Sequence, residues 1–170
     1  MIEAYAQAPR PERNNDAALP LSLYSLGESH KHVPEMQQFG LLEHPPLFVP
    51  SVAHTYCGML VSTPLTTAHG IKADTTPQQI HAVWQACYQD DPFVHPIPPT
   101  ENEQALREGK FLDPSECNFT NRVELFVFGD AAGGLLLVGR LDNLGKGASG
   151  NAVQCLNLML GFDEQTGLST

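Results

Sequence analysis

Residues 135–160 read LLLVGRLDNLGKGASGNAVQCLNLML, and this stretch decides how the rest of the chain is organised. The apolar run 135–138 predicts a strand that is buried on both faces. After a glycine-rich turn, apolar residues recur at helical spacing, namely Ala148, Ala152, Cys155, Leu156 and Met159. The stretch therefore predicts a strand, a tight turn and a closing helix, in that order.

The turn contains three glycines, Gly145, Gly147 and Gly150, around a single lysine, Lys146. Glycine permits positive φ and close approach of another backbone, and the free N–H groups at a helix start attract anions. One interpretation is a site for a nucleotide or an acyl phosphate. The other is a tight strand-to-helix connection without a ligand. The spacing does not fit the phosphate-loop consensus.

The chain has 170 residues, 42% of them hydrophobic, which is enough for one domain with a core of its own. Its net charge is −10, with only nine Lys and Arg, so no basic stripe is available to neutralise a phosphate backbone. Nucleic acids and anionic membranes are therefore not expected as partners. An anionic substrate would need a few placed cations, and those near informative sequence are Lys31, Arg122, Arg140 and Lys146.

The four cysteines, Cys57, Cys87, Cys117 and Cys155, lie far apart in the sequence. They form no Cys-x-x-Cys pair, and no signal peptide or long apolar span precedes them. Reduced thiols and a cytoplasmic location are therefore predicted. A zinc site needs clustered ligands, and among the seven histidines only two lie close together in sequence, so no metal site is expected.

These two histidines, His30 and His32, belong to the segment GESHKHVPEM at residues 27–36. Pro34 suits the first turn of a helix, so both imidazoles are predicted to lie on the loop before it. A histidine can move a proton near neutral pH, and Glu35 in the first helical turn could orient one ring. The alternative is a solvated polar loop.

The other patterns predict an α+β domain. The leader 1–20 is expected to be mobile, with a short helix at Met1–Gln7 and a charged loop at 8–16. Strands are predicted over 19–26, which contains Tyr24, and over 46–52, 58–65, 93–97, 118–128 and 135–141. A capped helix follows Thr76, with apolar residues Ile80, Val83, Trp84, Cys87 and Tyr88 facing the sheet. This order favours a mixed, largely antiparallel sheet with helices on one face and an open apolar face for a second copy.

The string DNLGKGASGNAVQ at residues 142–154 resembles the closing motif of the N-acetyl-γ-glutamyl-phosphate reductases, NADP-dependent enzymes of arginine biosynthesis. In that family the segment crosses from the substrate domain back to the nucleotide domain, and its Asp-Asn-Leu part lies near the nicotinamide. The resemblance implies cofactor-side roles for Asn143, Gly145, Lys146, Gly147, Ser149 and Gly150.

A second segment points to the same family. Tyr24 followed by His30, His32, Pro34 and Glu35 resembles the reductases' Tyr…His-x-His-x-Pro-Glu segment, whose histidines line the active site. The resemblance implies that His30 does acid/base or substrate-orienting work, with His32 and Tyr24 as neighbours and Glu35 as support. The sequence does not decide between the two histidines.

One position departs from the family pattern. Many relatives carry an arginine before the glycine of the second predicted strand, whereas this chain has Cys57 before Gly58. A phosphate contact cannot be carried over to that position.

The resemblance also implies a fold similar to the second domain of glyceraldehyde-3-phosphate and aspartate-semialdehyde dehydrogenases, in which one sheet face serves dimerisation. It extends from about Leu21 to Phe162 and covers the later half of a reductase. Residues 1–170 are therefore expected to form one substrate and dimerisation domain. Residues 143–162 would contact a nucleotide-binding domain that this chain lacks.

In a complete family enzyme a cysteine attacks the acyl phosphate, phosphate leaves, and NADPH delivers a hydride to the thioester. This chain has no Gly-x-Gly-x-x-Gly after an early strand and no Asn-Pro-Gly-Cys segment, so it is expected to be inactive by itself. The alternatives are a reductase for a carrier-linked glutamyl or aminoadipyl phosphate or for aspartyl phosphate, and a stand-alone dimerisation or small-molecule-binding module.

Overall fold

The computed structural model describes residues 21–26, 30–130 and 134–170. The chain divides into two compact units, residues 1–56 and 57–170. The helix expected at residues 1–7 and the mobile leader expected over 1–20 lie outside the described residues.

The first unit holds a short strand pair and one helix. Strand β1 (Leu21–Leu23) pairs with β2 (Ser51–Ala53) in antiparallel register, with Ser22 opposite Val52. β1 ends at Leu23, before the predicted end at residue 26, and β2 begins only at Ser51, after the predicted start at residue 46. Prolines at positions 45, 46 and 50 explain the shorter second strand, because proline cannot donate a ladder hydrogen bond.

Helix α1 (His32–Phe39) begins earlier than the sequence predicts. The prediction that both histidines lie on a loop is therefore wrong for His32, which occupies the first helical turn. Lys31 already has helical backbone angles, φ −55° and ψ −26°. Pro34 fits inside this turn because the first N–H groups of a helix need no partner within it.

The second unit is built on a four-stranded sheet in the order β3-β8-β7-β4. The pairs β3–β8 and β8–β7 are antiparallel, and β4 joins β7 in parallel. The prediction of a mixed, largely antiparallel sheet is thus confirmed. The strands are β3 (Met59–Leu65), β4 (Val94–Pro96), β7 (Val123–Asp130) and β8 (Gly134–Leu141), and a separate pair is formed by β5 (Leu106–Arg107) and β6 (Phe111–Leu112).

The strands predicted over 118–128 and 135–141 correspond to β7 and β8, which form a hairpin with Phe126 opposite Val138. Its first strand begins at Val123 rather than near residue 118. The preceding residues turn instead, because Thr120 N–H donates to the Cys117 carbonyl at 3.3 Å and Phe119 has φ +64°. The centre of the hairpin carries the core, since Phe126 and Val138 are buried.

Two opposite charges lie buried on the same sheet face as Phe126. Glu124 and Arg140 are 5% and 4% exposed, and Arg140 Nε donates to Glu124 Oε2 at 2.8 Å. Arg140 also donates to the Asp113 carbonyl at 3.0 Å and lies 5.1 Å from the centre of the Phe126 ring. Arg122 forms a second ion pair with Glu124. Because these pairs occupy both guanidinium groups, Arg140 is a structural cation and Arg122 is only partly available to a ligand.

Helix α2 (Pro77–Tyr88) starts as predicted, with the Thr76 hydroxyl accepting from the Gln79 N–H at 3.3 Å. Its packed face is narrower than the sequence predicts. Ile80 and Trp84 are half-buried, whereas Val83 and Tyr88 are exposed. Trp84 borders a shallow cavity of about 300 Å³ whose floor is formed by sheet residues 61, 125 and 139.

The closing helix α3 (Gly150–Leu160) buries its polar side rather than the apolar side that the sequence predicts. Its buried residues are Gln154 and Asn157, while Leu156 and Met159 are exposed. Residues 163–169 explain the polar burial: the Asn157 amide donates to the Glu164 and Thr166 carbonyls at 3.2 and 2.9 Å.

None of the helices in the described ranges is long and apolar enough to cross a membrane.

Breaking the buried ion pair should destabilise the second unit strongly. We expect Glu124→Gln to lower the free energy of unfolding by about 3–5 kcal/mol, because Arg140 would keep its charge without a carboxylate partner. Urea denaturation of the purified chain measures the change. The matched control is Arg107→Gln, since the Arg107–Asp113 pair is exposed and 4.0 Å long, and its loss should cost less than about 1 kcal/mol. Equal losses in the two variants would contradict the structural role of the buried pair.

Candidate functional site

Three residues predicted for the site come together in the first unit. The His30 ring lies 5.7 Å from the Tyr24 ring and 4.7 Å from the His32 ring, with edge-on geometry in both pairs. Phe48 adds a fourth ring, 5.0 Å from His30. We call Tyr24, His30, His32 and Phe48 the histidine cluster. His30 is half-buried within it, whereas His32 is exposed.

A hydrogen bond fixes how His30 can act. The backbone N–H of His32 donates to His30 Nδ1 at 3.2 Å. An N–H can only donate, so Nδ1 is an acceptor and the neutral ring carries its proton on Nε2. The same bond satisfies one of the free N–H groups at the start of α1. His30 thus holds the helix start with one nitrogen and keeps an N–H donor on the other.

Glu35 does not support either ring directly. Its side chain is exposed in the first turn of α1, and within residues 21–26, 30–130 and 134–170 it forms no hydrogen bond with an imidazole. Its negative charge favours the helix start through the helix dipole.

Sequence reasoning missed Phe48. No alternation in the sequence marks it, because residues 45–50 read PPLFVP; only in the structure are residues 46, 48 and 50 at least half-buried while 47 and 49 are exposed. An extended segment with this pattern presents Phe48 on the same side as its proline neighbours.

In the second unit the predicted turn is organised by Asp142, which is 2% exposed. Its carboxylate accepts backbone hydrogen bonds from Phe119 at 2.7 Å, Leu144 at 2.8 Å and Gly145 at 3.0 Å. Burial alone would raise the pKa of Asp142, but these bonds and the Cys57 thiol outweigh it and hold the pKa below its ordinary value. Asp142 is therefore a buried anion that is satisfied by the chain itself.

Asn143 follows directly and is half-buried. Its side-chain oxygen accepts from the Gly58 N–H at 2.8 Å. Its Nδ2 makes no hydrogen bond to any residue that the structure describes. Asn143 is therefore anchored through its oxygen and keeps two N–H donors.

In the glycine turn, residues 142–150, most backbone hydrogen bonds are made within the turn itself. Residues 145–149 form a single π-helical turn, in which Gly147 N–H bonds to the Asp142 carbonyl at 2.9 Å and Ser149 N–H to the Leu144 carbonyl at 3.2 Å. Gly150 N–H bonds to the Gly145 carbonyl. Since Leu144 and Gly145 donate to the Asp142 side chain, five N–H groups of the turn are already used. This arrangement fits a tight connection better than a phosphate cradle.

Lys146 is the one cation of the turn. Its ammonium donates to the Gln154 side-chain oxygen at 2.6 Å and lies 5.3 Å from the centre of the Phe93 ring. Within the described ranges no carboxylate lies within 4.0 Å of it. Its charge is therefore held in place without a counter-ion from those residues.

Neither of the two buried cysteines, Cys57 and Cys117, is an activated nucleophile. Burial, and secondly the Asp142 carboxylate, raises the pKa of the Cys57 thiol. Burial and the Glu124 carboxylate raise the pKa of Cys117 to about 11. Cys87 and Cys155 are exposed. At neutral pH Cys57 and Cys117 are therefore buried neutral thiols.

Two glycines of the turn, Gly150 and Gly147, should differ sharply in how well they tolerate replacement by alanine. A Cβ on Gly150 would lie 2.3 Å from Asn121 Oδ1, whereas one on Gly147 would have no neighbour closer than 3.4 Å. We expect Gly150→Ala to lower the free energy of unfolding by about 1–3 kcal/mol through overpacking. Gly147→Ala should stay within about 0.5 kcal/mol of the parent chain. Thermal denaturation of both variants tests this, and equal stability would show that Gly150 is not required for packing.

Comparison with known proteins places these two groups of residues in one family. Residues 7–143 match the family model described as "Semialdehyde dehydrogenase, dimerisation domain". The chain is 43% identical to N-acetyl-gamma-glutamyl-phosphate reductase 2 of Nostoc sp. and 42% identical to the reductase of Trichormus variabilis, with 99% of this chain and 52% of each relative covered. The Rhizobium etli reductase is 40% identical over 91% of this chain and 49% of its own length.

The chain thus spans about half the length of the curated relatives it matches. Their names confirm the resemblance found in residues 142–154 and in the His30–Glu35 segment. By the family match over residues 7–143, this chain belongs to the semialdehyde dehydrogenase dimerisation-domain family.

Proposed function

We propose that this chain is the substrate half of an NADP-dependent reductase that converts N-acetyl-glutamyl 5-phosphate to N-acetyl-glutamate 5-semialdehyde and phosphate in arginine biosynthesis. The names of the relatives support the reaction class and substrate. The observation that carries a chemical role is His30, whose Nδ1 is occupied by the His32 N–H. Its Nε2–H is the group we assign to the substrate.

Reduction of an acyl group to an aldehyde places developing negative charge on the carbonyl oxygen. A fixed donor at that oxygen stabilises the charge, and a histidine can also transfer its proton. His30 suits this task because its ring is held by a backbone bond and by the rings of Tyr24 and Phe48. His32, exposed beside it, is the neighbouring group that would contact substrate.

NADPH, when bound, supplies the hydride. From the glycine turn we assign the cofactor contact to Asn143, whose Nδ2 is available to donate. We give Gly145, Gly147, Ser149 and Gly150 the task of shaping the turn, since their N–H groups bond within it. Lys146 would add positive charge on the cofactor side.

We assign the nucleophile to another part of the reductase. Acyl transfer from a phosphate needs a thiolate, and burial keeps Cys57 and Cys117 protonated. We therefore propose that the 170 residues are inactive by themselves. A nucleotide-binding domain would supply the cysteine and pack against residues 143–162, where the exposed Leu156 and Met159 offer an apolar surface. The predicted location in the cytoplasm is part of the same proposal.

We also propose that two copies associate through the sheet of the second unit. The family description supports dimerisation. On the sheet, β3 is an edge strand, and its apolar residues Met59, Leu60 and Val61 are 37–49% exposed. Unpaired edge groups and exposed apolar side chains are the features that a second copy would cover.

The His30 proposal is tested in the complete reductase with two amide replacements. Asparagine places an oxygen near the position of Nδ1, so His30→Asn should keep the helix start intact and lose the Nε2 donor. We expect kcat to fall by roughly 10²–10⁴-fold with a melting temperature close to that of the parent. Glutamine places an amide nitrogen near the position of Nε2, so His30→Gln should retain part of the turnover.

His32→Asn is the comparison variant: it keeps the backbone N–H that holds His30, so kcat should change much less, and the loss of its own substrate contact should appear in KM. A rise in KM alone would make a histidine a binding group. Near-normal kinetics in all three variants would show that the cluster is a solvated loop. Turnover by the 170-residue chain above a heat-inactivated control would show that its own cysteines suffice.

Self-association should be visible in light scattering of the purified chain. We expect a dimer mass at tens of micromolar, and Val61→Lys should shift the mass toward the monomer because a charge on β3 opposes edge pairing. Val83→Lys on α2 is the control, since Val83 is also exposed but lies outside the sheet. A monomeric mass for the parent chain would contradict the proposed dimer.

A further inference from the structure

We propose that Gly58 is a positioning residue for Asn143: its backbone N–H turns the side-chain amide so that Asn143 meets its ligand only as a hydrogen-bond donor. This rests on the proposed function for the identity of that ligand. The hydrogen bond itself does not depend on it.

The direction of the Asn143 amide follows from chemistry. A backbone N–H can only donate, so the group 2.8 Å from Gly58 N is the side-chain oxygen and not the nitrogen. A flipped amide would place two donors against each other. The free end of Asn143 is consequently Nδ2, and a ligand there must offer an acceptor.

Gly58 can hold this position because it lacks a side chain. Its φ is +107°, a conformation that L side chains rarely adopt. A Cβ at this position would lie 2.7 Å from the Pro114 carbonyl oxygen and 3.1 Å from Asn118 Oδ1. Any larger residue would have to move the backbone, and the N–H would move with it.

The other partner is equally constrained. Asn143 directly follows Asp142, whose carboxylate is bonded to the N–H groups of Phe119, Leu144 and Gly145. Cys57, the residue directly before Gly58, also contacts Asp142 through its thiol. The dipeptides 57–58 and 142–143 therefore lie against each other, and contacts from both fix the direction of the Asn143 amide.

The first test needs only this chain. Amide hydrogen exchange by NMR should show a protected Gly58 N–H in the parent chain. Asn143→Ala should accelerate exchange at Gly58 at least tenfold while the amides of β3 and β8 keep their rates. Asn143→Asp should retain protection, because its carboxylate still accepts. Fast exchange at Gly58 in the parent chain would overturn the positioning bond.

The second test uses the complete reductase and NADPH. Asn143→Asp keeps the acceptor for Gly58 but has no donor, so KM for NADPH should rise by roughly tenfold, the value of a lost hydrogen bond of ordinary strength. Gly58→Ala should raise KM similarly. The matched control is Gly70→Ala: Gly70 also has positive φ, +85°, but nothing lies within 4 Å of its Cβ position. Gly70→Ala should lose stability and leave KM unchanged.

The outcomes separate the two proposals. An unchanged KM in Asn143→Asp, together with a large loss of kcat in His30→Asn, would refute the donor role of Asn143 and leave the reductase assignment standing. Normal kinetics in both variants would refute the roles of Asn143 and His30, and a parent enzyme without NADPH-dependent turnover would refute the reductase assignment, while slow exchange at Gly58 would still support the Gly58–Asn143 hydrogen bond. A raised KM in Gly70→Ala as well would reduce the effect of Gly58 to general destabilisation.

Discussion

The second unit depends on one buried anion, the carboxylate of Asp142. An isolated carboxylate without water costs several kcal/mol, so it is tolerated only when hydrogen bonds replace its solvation. Here the donors come from Phe119, from the turn itself and from the Cys57 thiol. Because its pKa is lowered on folding, Asp142 adds stability above the ordinary aspartate pKa of about 3.9. That stability is lost as the pH falls through the folded-state pKa.

The same anion decides what the glycine turn can do. A helix start binds phosphate when its N–H groups are unpaired, but Asp142 and the π-helical bonds use most of those in this turn. The glycines meet a steric need instead, since Cβ atoms at Gly145 and Gly150 would collide with the Thr120 carbonyl and with Asn121 Oδ1. Under the proposed function, the turn would then meet the cofactor through a side chain, the Asn143 amide, rather than through a cradle of backbone donors.

Sequence patterns predicted the elements whose signals are local. The hairpin, the Thr76-capped helix and the mixed sheet were all available from alternation, capping residues and turn chemistry. The resemblance also brought together Tyr24, His30 and His32. Long-range partners were not predictable: the Gly58–Asn143 bond joins residues 85 positions apart, and neither residue type signals the other. The start of α1 was misplaced because Pro34 fits more than one position of a first turn.

The closing helix shows why hydrophobic periodicity alone misplaces a buried face. Gln154 accepts from Asn121 at 3.0 Å and from Lys146, and its own amide donates to Glu164 at 3.0 Å. Because the oxygen and the nitrogen of this amide both form hydrogen bonds, burying it costs little free energy. The polar side of α3 can therefore be the side that packs against the second unit. The leucines of α3 remain exposed and can contact another surface. Under the proposed function, the nucleotide-binding domain would cover these leucines. Gln154 on α3 also accepts a hydrogen bond from Lys146 in the turn. Docking of that domain on α3 would therefore affect the position of the turn that carries Asn143.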